Sequence, residues 1–229
     1  MDFSIRAAGP ELLDLPNIPA DDIERNLYEL AFINRWLGGH SITLRGFYEL
    51  AKSATSISLC EIGCGGGDNL KAIESKTGAY NHPLRLTGID INPDCILVAK
   101  KMHWKNPADF IVSDYQQVRF ESKPDIIFSS LFCHHFRKEE LIQMFRWMYE
   151  NSGTGFFIND LQRHPLAYYS IRWLTSVFSK SYLVKNDAPL SVRRGFKKKE
   201  LEDLLMQAGI RHHTIEWRWA FRWLVIVRK

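Results

Sequence analysis

The 229-residue sequence predicts an α/β protein, an open sheet built from repeated strand–helix units. Three observations carry that expectation. Between residues 57 and 160, short apolar runs that end in polar or acidic residues alternate with helical patterns, the rhythm of βα units. The first run, 57–62, empties into Gly63-Cys64-Gly65-Gly66-Gly67, a loop in which unusual dihedrals and close approach to a ligand both exclude side chains. The final stretch, 214–219 and 221–227, reads as a pair of strands.

Residues 11–53 precede the first strand and read as two or more helices, a cap of about residues 1–53. Within it, 25–37 carries apolar residues at helical spacing and stops at Gly38-Gly39, a pair suited to a helix C-terminus. After the glycine loop the pattern from Asn69 to Ile73 opens a helix. A second run, 84–92, delivers Asp90, with Ile91 beside it, and Pro93 then starts another helix. An acid at the end of the second strand, a little over 20 residues beyond the glycines, suits the two hydroxyls of a ribose; the competing role for Asp90 is capping the helix that follows. The third run, 109–115, ends in Asp114 and Tyr115. The fourth, 124–136, passes Ser129 and Ser130 and reaches His134 and His135 before a helix over 138–151. The fifth, 155–160, ends in Asp160. Polar residues at successive strand ends fit the rule that open α/β sheets bind ligands beyond their carboxyl edges.

Residues 161–195 form an insertion. A helix with Leu166, Tyr169, Trp173, Leu174, Val177 and Phe178 on its apolar face is followed by an expected loop over 185–195 and a last helix over 199–208. Such an insertion is expected to lie over the ligand site as a lid. Its aromatic content suits an apolar or aromatic ligand, though a stripe of this kind is more often plain core.

Composition agrees with one domain over residues 1–229: 45% hydrophobic and 24% charged, with no repeat or low-complexity stretch. The N-terminus lacks a secretory apolar core and no window reaches membrane-spanning length, so a cytoplasmic protein without stable membrane insertion is expected. Cys60, Cys64, Cys95 and Cys133 form no C-x-x-C pair and read as buried thiols; no metal is expected. A formal charge of +4 permits an anionic partner without demanding one.

The pattern Glu61-x-Gly63-x-Gly65-x-Gly67 resembles the first motif of the class I S-adenosylmethionine-dependent methyltransferases. A dinucleotide fingerprint, G-x-G-x-x-G, would place a third Gly where this chain has Asp68. The resemblance extends to the terminal strand pair and implies a Rossmann-like seven-stranded sheet with an antiparallel C-terminal strand and S-adenosyl-L-methionine as cofactor. It further implies that Gly63, Cys64, Gly65 and Gly67 meet the methionine portion, with Glu61 holding the loop or the amino group. Asp90 and Ile91 would meet the ribose side, Asp114 and Tyr115 the adenine, and Ser129 and Ser130 the sulfonium side. Asn34 and Arg35 would reach the cofactor carboxylate. The pattern over 187–196 resembles small-molecule methyltransferases of quinone, phenolic lipid and polyketide type, which implies a small aromatic hydroxyl acceptor. The position of a base-methylating [N/D]-P-P-[Y/F] motif reads Ser129-Ser130-Leu131-Phe132, so no nucleic acid is expected. His134 and His135, then His164 with Asp160, are the candidate general bases, because imidazole titrates near neutral pH; proximity alone is the competing account of catalysis. Two other readings stay open: a nicotinamide oxidoreductase, and a cofactor-binding protein without transferase activity. Monomer and homodimer are equally compatible with the sequence.

Overall fold

The computed structural model describes residues 1–51, 56–77 and 83–229. Five strands, β1 (Ile57–Ile62), β2 (Leu84–Asp90), β3 (Ala108–Val112), β4 (Ile126–Ser130) and β5 (Gly155–Leu161), are joined by β6 (His213–Arg218) and β7 (Arg222–Arg228). The sheet order is β3-β2-β1-β4-β5-β7-β6. β1 to β5 pair in parallel, whereas β7 runs antiparallel to both β5 and β6. The parallel sixth strand of a dehydrogenase sheet is therefore replaced by an antiparallel hairpin. β1 pairs with β2 on one side and β4 on the other, so the strand order reverses there and a crevice opens at the carboxyl ends.

Alternation along the strands divides the core into two faces. Cys60 and Ile62 of β1 join Leu141, Met144 and Phe145 of α5 (Lys138–Asn151) and Leu205 of α8 (Lys198–Gln207). Leu59 turns the other way, toward Phe47 of α2 (Gly39–Ala51), Leu70 of α3 (Asp68–Thr77) and Ile96 of α4 (Pro93–Lys101). α2 lies close to β5 because Gly46 has no side chain: a Cβ there would stand 2.5 Å from the Phe157 ring. All four cysteines are buried and unpaired.

Helix α1 (Ala20–Trp36) precedes α2, and the chain turns between them at Gly38, with φ +79°. Beyond β5 come α6 (Pro165–Phe178) and α7 (Tyr182–Arg194). The loop expected over 185–195 is thus mostly helix. Pro189 lies inside this helix, and Pro in a helix sacrifices one main-chain hydrogen bond. Here the Ser181 hydroxyl caps the N-terminus by accepting from Val184 N at 3.4 Å, and Leu183, Val184, Pro189 and Val192 are buried, which offsets that loss. Among the described residues no helix is long and apolar enough to cross a membrane.

Candidate active site

One cavity of about 1730 Å³ follows the carboxyl edge of the sheet. Its first end is the glycine loop. Gly63 sits at φ +65°, and a Cβ on it would stand 2.2 Å from the Phe132 ring, so both conformation and space require glycine. Gly65, at φ +50°, turns its N–H onto Asp90 Oδ2 at 2.8 Å, and Asn92 N–H donates to Asp90 Oδ1 at 2.9 Å. Burial raises the Asp90 carboxyl above its ordinary value, and these backbone donors offset only part of the rise. Beside it Ile91 exposes its side chain to the cavity. Asp114, also on the wall, accepts from Gln116 N–H at 2.9 Å. Tyr115 is buried edge-on against Trp147, ring centroids 5.1 Å apart.

The wall opposite holds buried polar atoms without partners. Asn26 has neither amide atom bonded, Asn34 lacks a donor to Oδ1, and Arg222 has no acceptor for Nη1. Asn34 Nδ2 donates to Asp68 at 3.1 Å and to Asn69 at 3.3 Å. Arg222 is 3% exposed, and burial lowers its pKa to about 10 against the raising influence of Asp160 and Asp68. Orphaned groups of this kind cost roughly 1–3 kcal/mol each, and a zwitterionic amino acid moiety matches them: a carboxylate for Arg222, an ammonium for the Asn34 carbonyl. By this test the residues present fit S-adenosylmethionine.

The other end is acidic and imidazole-rich. At the end of β4, Leu131 takes φ +54° and donates its N–H to Asn159 O at 2.9 Å, turning the chain into the short 3-10 turn Cys133–His135. That turn is pinned by two arginines: Arg6 donates to His134 O at 2.8 Å and Phe136 O at 3.0 Å, and Arg194 to His135 O at 2.6 Å and His134 O at 3.1 Å. The N-terminal segment then crosses the site. Asp187 of α7 accepts from Leu12 N–H at 2.8 Å and Leu13 N–H at 3.0 Å, and the Ser191 hydroxyl donates to Glu11 at 2.7 Å. Glu11 and Asp14 are thereby delivered to the two histidines.

The His134 ring is 2% exposed, with Nδ1 2.8 Å from Asp160 and Nε2 3.4 Å from Glu11. Burial works to lower its pKa, but the two carboxylates override it and push it up to about 9. His134 thus holds a proton more tightly than an ordinary imidazole. Burial alone would raise Glu11 and Asp160, yet their contacts with His134 hold both carboxyls below the ordinary range. His135 is one-fifth exposed at the cavity wall. Its Nδ1 meets Asp14 at 3.1 Å, while Nε2 lies 3.7 Å from Glu11, beyond hydrogen-bond length.

Of the residues singled out in the sequence, Gly63, Cys64, Gly65, Asp90, Ile91, Asp114, Tyr115, Ser130, His134 and His135 all border this cavity. Several others do not. Arg35 points into solvent, and its neighbour Asn34 takes the inward position. Ser129 is buried against Cys133 Sγ at 3.2 Å, because strand alternation turns it away from Ser130. Gly67 sits at φ +80° against Trp104 and Ala99, with space for helix packing rather than ligand. Glu61 is fully buried beneath the loop. Its Oε1 accepts from Asn69 Nδ2 at 3.1 Å, and burial followed by the nearby Asp68 charge pushes its carboxyl well up. His164 caps α6 by accepting from Leu166 N–H at 3.1 Å and stacks on Phe221, away from the cavity. Asp160 is buried behind His134 and touches the cavity only through it. Glu11, Asp14 and Arg222 escaped sequence reasoning: no local pattern marks a lone acid in an N-terminal segment or a lone arginine opening a strand.

Residues 59–155 match the family described as Methyltransferase domain. No curated protein matches the sequence. Solved structures with the same architecture include the plantazolicin methyltransferase BpumL in complex with SAH, 18% identical with 90% of each chain covered and a TM-score of 0.66. Human N-acetylserotonin methyltransferase in complex with SAM is 19% identical, with 92% of this chain and 56% of that chain covered and a TM-score of 0.65. Magnesium protoporphyrin IX methyltransferase from Synechocystis PCC 6803 with bound SAH is 14% identical, with 92% and 100% covered and a TM-score of 0.55. The matched domain spans residues 59–155, and the sheet order is that of the methyltransferase fold. To that fold the chain adds a helical insertion after β5 and an N-terminal segment that crosses the site.

Proposed function

We propose that this chain transfers the methyl group of S-adenosylmethionine to a hydroxyl oxygen of a small aromatic or apolar acceptor. The observation that carries the reading is the single cavity of about 1730 Å³ joining the glycine loop to His135. Pockets of roughly 300–1,000 Å³ hold one drug-sized ligand, so this one has room for cofactor and acceptor together. Between its ends the walls are apolar, with Ile23, Leu27, Phe132, Trp173 and Val192 among them.

When bound, the cofactor supplies a methyl group already activated on a sulfonium. The chain must then bind, orient and exclude water. Asp90 accepts from the ribose hydroxyls, Asp114 faces the adenine amino group, and Arg222 with Asn34 holds the amino acid end. At the acceptor end His135 takes the hydroxyl proton on Nε2, while Asp14 accepts from Nδ1 and fixes the tautomer. Residues 161–195 act as the lid and residues 1–53 as the cap of a single domain, enclosing a small-molecule acceptor rather than a nucleic acid. Turnover of S-adenosylmethionine with a panel of phenols and alkylated phenols tests the reading. SAH should accumulate with phenols, and His135→Ala should lower turnover at saturating acceptor by roughly 10²–10⁴-fold with SAH affinity retained. Turnover confined to amine or carboxyl acceptors would overturn the hydroxyl assignment.

A further inference from the structure

At the acceptor end, donor atoms from three residues converge. His134 Nε2 lies 3.4 Å from Glu11 Oε1, His135 Nε2 lies 3.7 Å from Glu11 Oε2, and one donor from each residue falls within 4.8 Å of the others. A tetrahedral ion with arms of about 2.0–2.1 Å holds its ligands roughly 3.4 Å apart, so both nitrogen–oxygen separations already suit a shared cation. Each ring also carries a carboxylate on its far nitrogen: Asp160 at 2.8 Å from His134 Nδ1 and Asp14 at 3.1 Å from His135 Nδ1. This is the outer-shell arrangement that fixes a ligating imidazole's tautomer and raises its basicity. His135 Nε2 and Glu11 Oε2, 3.7 Å apart, are too distant for a hydrogen bond, and the gap between them has the width a shared cation needs.

We propose that Glu11, His134 and His135 form a binding site for a divalent first-row transition cation, with Zn²⁺ as its representative. Two imidazoles and one carboxylate suit such ions better than Mg²⁺ or Ca²⁺, which prefer an all-oxygen shell. All three side chains border the cavity, which leaves further coordination positions open to a ligand, the hallmark of a reactive rather than a structural site. An oxygen of the acceptor is the ligand placed to fill them. With the ion bound, His135 Nε2 is a ligand rather than the proton acceptor, and the inference does not depend on the methyl-transfer reading, because ion binding is measured without cofactor or acceptor. The two histidines are adjacent in sequence and Glu11 lies near the opposite end of the chain, so no ligand spacing announces the site.

Calorimetric titration of the metal-stripped full chain with Zn²⁺ tests it, with the visible spectrum of added Co²⁺ as a second reading. The expected result is one saturable site of micromolar affinity or tighter, with the intense visible bands of four-coordinate Co²⁺. Glu11→Gln should weaken it at least about 100-fold, and Asp14→Asn, which removes no ligand, about 10–100-fold. Replacing the remote His212 and His213 by Ala should leave it unchanged. Urea unfolding reports whether Glu11→Gln still folds, and Asp14→Asn carries the test if it does not. No saturable Zn²⁺ binding, or binding lost with His212 and His213 but retained in Asp14→Asn, would overturn the proposal. A parallel SAH titration separates the two readings: Zn²⁺ binding without SAH binding leaves the metal site standing and removes the methyl-transfer reading, whereas SAH binding without Zn²⁺ does the reverse.

Discussion

Replacing Arg222 by Met should move stability and cofactor affinity in opposite directions. The guanidinium is 3% exposed, its Nη1 has no partner, and burial lowers its pKa to about 10. At about 1.4 kcal/mol per pKa unit, keeping that charge costs the ligand-free fold on the order of 3 kcal/mol. Met keeps most of the unbranched stem and discards the charge, so the ligand-free variant should be unchanged or more stable by up to about 3 kcal/mol. For a chain of this length that corresponds to a rise in Tm of roughly 0–12 °C. SAH affinity should move the other way. Removing one partner of a desolvated charge pair costs about 2–4 kcal/mol, a loss of roughly 30- to 1,000-fold. Differential scanning fluorimetry without ligand and calorimetric titration with SAH read the two effects separately. A Tm lowered by more than a few degrees together with SAH affinity within threefold of the parent would refute the assignment, because Arg222 would then be a structural cation rather than an anchor.

Gly63→Ala should destabilise by about 2–5 kcal/mol, the sum of a left-handed non-glycine backbone and overpacking against Phe132, and chemical denaturation gives the value; a change below about 0.5 kcal/mol would contradict the geometry. Asp90→Asn should weaken SAH binding by about 10- to 100-fold, since an amide offers one acceptor where the carboxylate offers two. In the parent, burial places the Asp90 pKa above the ordinary carboxylate value. Protonation removes the ribose acceptor, so SAH affinity should fall on acidification, beginning above the usual carboxylate range, and Asp90→Asn should abolish that part of the slope. Asp160→Asn breaks a buried ion pair and should cost about 3 kcal/mol in urea unfolding; an unchanged midpoint would show that Glu11 alone compensates His134.

The cofactor half of the site was legible because its chemistry is local. A strand, a glycine turn and a helix follow one another in sequence, so the spacing of Gly63, Gly65 and Asp90 carries the geometry directly. The terminal hairpin was legible for a similar reason, since its two runs are separated by a short connection. The acceptor half is assembled from distant segments, with Glu11 and Asp14 from the N-terminal segment, His135 from beyond β4, and Asp187 and Ser191 from α7. No periodicity records such a meeting. Arg35 and Ser129 failed for a smaller reason: each sits one residue from the position that faces the cavity, and spacing arguments do not fix helix phase or strand face at that resolution. The 185–195 segment reads as a loop because tertiary burial, which decides whether a helix survives the hydrogen bond lost at Pro189, is invisible locally.

The segment from Arg6 to Asp14 is anchored almost entirely by polar bonds to the turn after β4 and to α7. Such an anchorage has a lower opening cost than a packed helix, and it separates the two halves of the cavity in time. The glycine loop and Asp90 are held at the carboxyl edge of the sheet by their own hydrogen bonds, so that end of the cavity does not depend on the segment. Lifting it removes both acids from the histidines at once and uncovers the acceptor end. Detachment of these nine residues and loss of both acids from His134 and His135 are therefore one motion.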